Sequence, residues 1–432
     1  MSVLRGLRVL RMIQMNILVD NGLPELNNLG DLAMLVAACR DIRRRWPGAN
    51  VFTFATRPER LHRVLPDVAA VDPAGRELWS CAAAFGWLVE SKVPRLQRPA
   101  RIYRALTARP SLAPLIRVGI SRGETRTGPV AAFLHFLREV DLYFWAGGGY
   151  LADPFGSLAT RLANTLEALA GRGVPAAAFG LGIGPLNRPR ILQTVRATMR
   201  NLCAIGVREG SSLELLQGWS LNGADLCLTG DDAVAGALAE RRPEFGDALG
   251  VSIRLQYYSE LDVRHLAVVK EVVHEFCMQQ DAGMVSIPIA QGDLEANATL
   301  HTGPVPFEVP ESRLAAVYAA IRRCRVVITA CYHAAVFALS MGIPAIGLAG
   351  SNYYIQKFRG LQQQFGGVPR LILCRAQTPA DAFRNELREA LAGFWSDAPR
   401  VRPTLLASAA AQIAINNAFR ERVFDRMEAQ LR

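Results

Sequence analysis

Residues 326–350 read VVITACYHAAVFALSMGIPAIGLAG, and this stretch indicates the fold. A short apolar run at 326–329 precedes a segment of helical length at 332–341, and Gly342-Ile343-Pro344 then leads into a second apolar run at 345–348. Buried parallel strands are short, continuous apolar runs, and helices connect one such strand to the next. The stretch therefore predicts a strand–helix–strand unit of a parallel sheet.

The same alternation continues along the chain and predicts an α/β fold of two Rossmann-like lobes that face a cleft. Strands of the first lobe are predicted at 17–20, 51–55, 141–145, 176–181, 204–207 and 225–228. Those of the second are predicted at 249–253, 284–288, 326–329, 345–348 and 371–374. Helices are expected at 32–46, 158–172, 261–279, 311–324, 332–341 and 380–394. Ligands are then expected at the carboxyl ends of both sheets.

The domain boundaries follow from breaks in this pattern. The first lobe is predicted at 1–234, and a charged linker at 235–247 separates it from a second lobe at 248–404. The amphipathic segment 405–432 is expected to form a helix that crosses back to the first lobe. Residues 66–127 are less regular, which indicates an insertion that acts as a lid or acceptor-binding loop, or is merely an irregular connection.

The composition limits the class of protein. Of 432 residues, 50% are hydrophobic and 20% are charged, so the chain can bury large cores and disorder is not expected. The net charge of +11 favours anionic partners, but no motif that reads nucleic acid accompanies it. The eight cysteines form no CxxC pair, which is typical of reduced core thiols rather than of disulfides or a zinc site.

Neither a signal peptide nor a membrane span is expected. Arginines interrupt the apolar start of the chain, and no stretch approaches the roughly 20 uncharged apolar residues of a spanning helix. We therefore expect a cytoplasmic protein. The basic start could also contact the inner surface of a membrane, although a lead-in to the first strand is the simpler interpretation.

Two glycine-containing segments that follow predicted strands could bind an anion. The segment Asn28-Leu29-Gly30-Asp31 opens the first long helix, where backbone N–H groups favour negative charge, and Asp31 itself could cap that helix. The segment Gly147-Gly148-Gly149 follows an apolar strand, where a backbone without side chains lets a ligand approach closely. A tight turn without a ligand is the alternative for the triple glycine.

Three cations are placed by the pattern near the predicted cleft. Arg208 and Arg254 end predicted strands of the first and second lobes, and Lys357 follows a tyrosine pair. A guanidinium can bind carboxylate or phosphate through two hydrogen bonds, but a surface salt bridge explains Arg208 equally well. Lys357 could supply a further cation, or lie in an ordinary surface loop.

His333 is the residue that the sequence most favours for chemistry. It lies where the strand 326–329 gives way to a helix, and an imidazole there could protonate or bind a substrate anion. The pair Asp231-Asp232 also follows a strand, which either a metal site or a helix cap would explain. In residues 180–185 (GLGIGP), Pro185 stands where a G-x-G-x-x-G dinucleotide fingerprint has its third glycine. NAD binding is therefore not expected.

The order of these motifs resembles that of the polysaccharide pyruvyl transferase family. The resemblance spans about residues 16–365 and is carried by Asn28, Gly30, Asp31 and Ala33, the triple glycine, residues 180–185, Val207-Arg208 with Ser212, Asp231-Asp232, and His333 with Gly342-Ile343-Pro344 and Lys357. It implies a build similar to that of the two-lobed GT-B glycosyltransferases.

The resemblance also implies a reaction. Enzymes of this family transfer pyruvate from phosphoenolpyruvate onto two hydroxyls of a sugar as a ketal, so we expect that donor, a sugar or lipid-linked saccharide acceptor, and neither a metal nor another cofactor. His333 is expected to be the general acid or a phosphate contact, and Asp31 the base or a group that orients the acceptor. Substrate-binding residues are expected to be Asn28, Gly30, Gly148, Gly149, Arg208, Arg254 and Lys357. Many relatives carry Arg where this chain has Cys331, so an anion contact is expected either to be missing or to move to Arg254 or Lys357.

Two other functions stay open. A nucleotide-sugar-dependent glycosyltransferase of the GT-B build would also need anion-binding loops in the second lobe. A non-catalytic relative that acts in polysaccharide assembly is the other alternative, and Cys331 in place of Arg favours it.

Overall fold

A computed structural model describes residues 15–80, 128–261, 263–301, 304–311 and 313–431. These residues form two lobes, each built on a fully parallel sheet. Within the described residues, no helix combines the length and the apolar character needed to cross a membrane.

The sheet of the first lobe has seven strands in the order β3-β2-β1-β4-β5-β6-β7. Consecutive residues such as Leu18 and Val19 belong to two separate hydrophobic clusters, so both faces of the sheet are covered. The strands are β1 (Asn16–Asp20), β2 (Asn50–Phe54), β3 (Ala69–Val71), β4 (Leu142–Leu151), β5 (Ala176–Ile183), β6 (Ala204–Val207) and β7 (Asp225–Leu228). The helices are α1 (Leu29–Arg45), α2 (Pro58–His62), α3 (Ala74–Trp79), α4 (Pro129–Glu139), α5 (Gly156–Ala170), α6 (Pro189–Met199), α7 (Gly210–Gln217) and α8 (Ala233–Ala239).

The sheet of the second lobe has six strands in the order β10-β9-β8-β11-β12-β13. Its strands are β8 (Ala248–Ser252), β9 (Met284–Ser286), β10 (Phe307–Glu308), β11 (Cys324–Thr329), β12 (Ala345–Ala349) and β13 (Arg370–Leu373). Its helices are α9 (Val263–Gln280), α10 (Gln291–Ala298), α11 (Leu314–Ile321), α12 (Tyr332–Ser340), α13 (Asn352–Gln364) and α14 (Ala380–Leu431). The stretch at 326–350 forms β11, α12 and β12, as its pattern predicts.

Each lobe reverses its strand order at one place, between β1 and β4 in the first lobe and between β8 and β11 in the second. This is the Rossmann order, and the predicted fold class of two Rossmann-like lobes is confirmed. In such sheets ligands bind outside the carboxyl ends of the strands, at the point where the order reverses. The ends of β1, β4, β8 and β11 are therefore where a site should be sought.

The triple glycine at 147–149 is expected from the sequence to follow a strand, and this placement is wrong, because these residues lie within β4. Pairing with β5 continues past them, with a shift in register between Gly148 and Leu151. Gly147 and Gly148 have φ of 69° and 109°, in the region that favours glycine. β4 therefore has a bulge beginning at the triple glycine, where Gly149 lines the cleft.

Two short strands are absent from the predicted pattern. β3 lies at residues 69–71 and β10 at residues 307–308. With α3, β3 falls within the predicted insertion at 66–127, so at least the start of that segment belongs to the first lobe's sheet and its helices. Residues 81–127 of the predicted insertion lie outside the described residues.

The C-terminal segment forms one helix where the sequence predicts two, at 380–394 and 405–432. α14 runs unbroken through Pro399 and Pro403. Its first half packs Phe383 into a cluster of the second lobe, and its last turns pack Phe424 into a cluster of the first lobe. α14 therefore contacts both lobes.

Candidate active site

A cavity of about 110 Å³ lies in the cleft between the lobes, at both places where the strand order reverses. The first lobe lines it with Leu23, Asn28, Asp31, Gly149, Tyr150, Phe155, Leu158 and Arg208. The second lobe contributes Arg254, Tyr258, Tyr332, His333, Tyr353, Tyr354 and Lys357. Most of the predicted site residues thus lie around one space, and the other two, Gly30 and Gly148, pack directly against His333 and Tyr150.

Asn28, rather than Asp31, caps α1. Its side-chain oxygen accepts hydrogen bonds from the backbone N–H groups of Gly30 at 3.0 Å and Asp31 at 3.4 Å. Asp31 is buried, and its Oδ2 has no hydrogen-bond partner among the described residues. The carboxylate is therefore left for a role other than capping.

Two glycines are needed because charged or polar side chains press against their backbone. A Cβ at Gly30 would overlap the imidazole of His333, and a Cβ at Gly149 would overlap Lys357 Nζ and lie 2.6 Å from Arg208 Nη2. At both positions a side chain of the second lobe meets the backbone of the first. Glycine thus lets the two halves of the site come together.

Arg208 is a fully buried cation at the end of β6. Its Nε donates to Glu209 Oε1 at 3.1 Å and its Nη1 to Asp231 Oδ2 at 2.9 Å, while the guanidinium lies 4.2 Å from the ring centroid of Tyr332. Its Nη2 is buried and has no partner among the described residues. Burial excludes a surface salt bridge, and the N–H donors of Nη2 stay available to an acceptor.

His333 lies at the start of α12, beside the carboxylate that orients Arg208. Its Nε2 is 3.7 Å from Asp231 Oδ2 and has no hydrogen-bond partner among the described residues. Burial acts to raise the pKa of Asp231, but the neighbouring His333 and Arg208 outweigh it and hold this pKa below its usual range. Asp231 therefore stays ionised and links the two groups.

The adjacent Asp232 faces away from the cavity. It accepts hydrogen bonds from Asn416 at 2.7 Å and pairs with Arg420 at 2.8 Å, both on α14. The two carboxylates thus have separate partners and do not converge on one point. Within the described ranges, no group of His, Cys, Asp and Glu side chains could hold a metal ion.

Arg254 follows β8 and is held by a bidentate pair with Asp293 of α10, at 2.9 and 2.6 Å. Cys331 is close to this guanidinium. Burial raises the pKa of the Cys331 thiol to about 11, although Arg254 opposes the shift, so the thiol is neutral at physiological pH. Arg254 is therefore the cation in the part of the cavity next to Cys331.

Lys357 is a buried lysine on α13. Its Nζ donates to the hydroxyl of Tyr353 at 2.5 Å, and that hydroxyl donates to the backbone oxygen of Gly149 at 3.1 Å. Burial and the nearby charge of Arg208 lower the pKa of Lys357 to about 7. Lys357 can therefore change its charge near neutral pH, which an exposed lysine cannot do.

Aromatic side chains that the sequence analysis missed form most of the remaining wall. Tyr258 and Phe155 have ring centroids 5.1 Å apart across the cleft, and Tyr258 stacks on Tyr354 at 6.1 Å. The sequence drew attention only to the tyrosine pair at 353–354, because it precedes Lys357. The others stand in or beside apolar runs, where a pattern cannot distinguish a core aromatic residue from a cavity wall.

The site combines cationic side chains, an imidazole and a carboxylate in a small space with aromatic walls. The unpaired polar atoms of Arg208, His333 and Asp31 are buried, and buried polar groups normally have partners. A ligand with several acceptor oxygens and a hydroxyl would complete their hydrogen bonds. The fold and this site define a two-lobed α/β protein with a candidate site for an anionic ligand between its lobes.

A family model described as polysaccharide pyruvyl transferase matches residues 28–352. The chain therefore belongs to the polysaccharide pyruvyl transferase family, and family membership indicates a transferase. The match begins at the Asn28 cap and ends at the start of α13, so it contains eleven of the fifteen cavity-lining residues and leaves out Leu23, Tyr353, Tyr354 and Lys357. No curated protein matches the chain.

Solved structures with the same two-lobed build are similar in fold. UDP-N-acetylglucosamine 2-epimerase from Neisseria meningitidis, bound to UDP-N-acetylglucosamine, is 12% identical with a TM-score of 0.54, over 94% of this chain and 99% of that one. Arabidopsis thaliana UGT89C1 with UDP-L-rhamnose is 11% identical with a TM-score of 0.53, over 96% and 99%. At such identities the likeness concerns the fold alone.

Proposed function

We propose that this protein transfers a pyruvyl group from phosphoenolpyruvate to two hydroxyls of a sugar in a polysaccharide or glycoconjugate precursor. The observation that carries the proposal is the convergence of Arg208, Arg254, Lys357 and His333 on one small cavity. Phosphoenolpyruvate carries a phosphate and a carboxylate on a framework of about ten non-hydrogen atoms. A cavity of about 110 Å³ has room for about four waters at the roughly 30 Å³ that each occupies in the liquid, so it suits a small donor.

The residues around the cavity have separate roles in substrate binding and in proton transfer. Arg208, Arg254 and Lys357 bind the phosphate and the carboxylate, with the backbone at Asn28, Gly30, Gly148 and Gly149 forming the first-lobe side of the site. His333 protonates the methylene carbon of the enol ether or contacts the phosphate. Asp31 accepts the proton of the attacking sugar hydroxyl or orients that hydroxyl.

The reaction balances without a redox partner. Protonation of the methylene carbon makes the neighbouring carbon cationic, and one acceptor hydroxyl attacks it and loses its proton. The bond from that carbon to the phosphate oxygen then breaks, and inorganic phosphate leaves. The second hydroxyl attacks the same carbon, loses its proton and closes the ketal.

Release of phosphate from phosphoenolpyruvate in the presence of a sugar acceptor tests the proposal. The donor alone should stabilise the protein against heat, since a ligand at a hundred times its dissociation constant adds about 2.7 kcal/mol to the free energy of unfolding. His333→Ala should fold and release almost no phosphate. His135→Ala is the matched control, because His135 is 72% exposed on α4.

The alternatives predict different results. A nucleotide-sugar-dependent enzyme would be stabilised by UDP-sugars and not by phosphoenolpyruvate. A non-catalytic relative would bind phosphoenolpyruvate without releasing phosphate. Full activity of His333→Ala would remove the role assigned to His333.

We also propose that the protein acts in the cytoplasm and contacts the inner face of the membrane. Sedimentation with anionic vesicles tests the membrane contact.

A further inference from the structure

We propose that the exposed ring of Tyr257 binds the pyranose ring of the acceptor at the mouth of the cavity. This inference rests on the proposed function, because it names the place where that function's sugar would lie. Tyr257 stands three residues after Arg254, on the loop that follows β8, and 76% of its surface is exposed. It is not among the residues that line the cavity itself.

The loop that carries Tyr257 is held in one conformation. The hydroxyl of the buried Ser259 donates to the backbone oxygen of Gln256 at 2.7 Å and accepts from the backbone N–H of Gln256 at 3.2 Å. The backbone of Gly350 packs against the carbonyl oxygen of Glu260 so closely that a Cβ there would overlap it. A rigid support reduces the conformational entropy that a ligand must remove on binding.

The side chain of Tyr257 is also fixed. Its hydroxyl donates to the backbone oxygen of Pro154 at 3.0 Å, across the cleft in the first lobe. Its ring meets Tyr258 edge to face at 5.2 Å, and Tyr258 lines the cavity. The exposed ring is therefore continuous with the cavity wall, although most of its surface faces solvent.

The size and surroundings of this platform favour a sugar over a protein. A protein interface needs about 800 Å² on each partner, whereas an aromatic side chain offers about 150–250 Å². The neighbouring apolar side chain is Leu255, which is 42% exposed, and the polar Gln256 stands between them. An exposed aromatic face suits a sugar ring, whose C–H groups can pack on it.

Saturation-transfer NMR with methyl β-D-galactopyranoside and methyl β-D-glucopyranoside, without donor, tests this inference. The wild type and Tyr257→Phe should transfer saturation to ring C–H protons of at least one glycoside, because both keep the aromatic face. Tyr257→Ala should reduce the transfer at least about fivefold. Met278→Ala is the matched control, because it truncates a 55% exposed apolar side chain near the end of α9.

Equal transfer from Tyr257→Ala, or no transfer from the wild type to either glycoside, would overturn the inference. UDP serves as a further probe. Saturation transfer to its uracil protons, with none to either glycoside, would also overturn the inference, because Tyr257 would then bind a base. Thermal stabilisation by phosphoenolpyruvate is measured on the same samples and should be unchanged in Tyr257→Ala. If the donor fails to stabilise the wild type while the sugar result holds, the proposed function fails and the sugar platform stands.

Discussion

At the scale of single residues, Lys357 is the group whose charge is set most clearly by its surroundings. It is 8% exposed, its Nζ bonds to a neutral tyrosine hydroxyl, and Arg208 Nη2 packs beside it against the backbone of Gly149. Burial and this like charge lower its pKa to about 7. An anion placed beside Lys357 would favour the protonated form and raise that pKa again.

Binding of phosphoenolpyruvate should therefore weaken as pH rises above 7. Below pH 7 Lys357 is already protonated, whereas above it binding must draw a proton from solvent, which costs up to about tenfold in affinity per pH unit. Titration calorimetry between pH 7.5 and 8.5 should show the dissociation constant rising about tenfold. Lys357→Met should bind phosphoenolpyruvate more weakly and with little pH dependence. If the dissociation constants of the wild type and of Lys357→Met rose in parallel with pH, this prediction would be contradicted.

The sequence indicated the charged residues of the site for a physical reason. Arg208, Arg254 and His333 follow the carboxyl ends of strands, and in parallel sheets those ends meet at one edge. Asp293, which holds Arg254, and Tyr258, which lines the cavity, gave no such signal, because a helix start and a loop carry them. The sequence also assigned the α1 cap to Asp31, where Asn28, three residues earlier, makes the hydrogen bonds.

At the scale of elements, α14 is where local sequence rules mislead. A proline inside a helix leaves the carbonyl four residues earlier without its partner, so Pro399 predicts a break. The carbonyl concerned belongs to Trp395, and Arg325 Nε of β11 donates to it at 2.6 Å. A tertiary hydrogen bond thus replaces the missing backbone one, and no local pattern could show it.

α14 also contributes a buried ion pair next to the residues that hold Arg208. Arg420 pairs with Asp232 at 2.8 Å, and the neighbouring Asp231 holds Arg208. Arg420→Ala should lower the free energy of unfolding by about 3–5 kcal/mol, because it leaves a buried carboxylate unpaired. Urea unfolding measures this, and Arg420→Met with Asp232→Asn should recover much of the loss.

The control for this pair lies on the same helix. Arg400 pairs with Asp397 at the surface, so Arg400→Ala should leave the unfolding midpoint nearly unchanged. An equal loss in Arg400→Ala and Arg420→Ala would show that helix propensity, rather than the buried pair, sets the effect.

At the scale of the whole molecule, the two lobes share a hydrophobic core. One cluster joins Leu32 and Met34 of α1 to Val336 and Phe337 of α12 and to Leu405 of α14. Lobes joined by such an apolar interface should not move or unfold independently. The site benefits because this interface holds residues from both lobes around one cavity.

The protein should therefore unfold in one calorimetric transition, although proteins of two lobes often unfold in steps. Phe424→Ala should lower the free energy of unfolding by about 3–5 kcal/mol, because Phe424 is fully buried on α14 against Trp46, with ring centroids 4.9 Å apart. The single transition should shift to lower temperature as a whole. Ile415→Ala, at a 47% exposed position of α14, should shift it little. Two resolved transitions in the wild type, or a shift confined to part of the heat absorption in Phe424→Ala, would show that α14 does not couple the lobes.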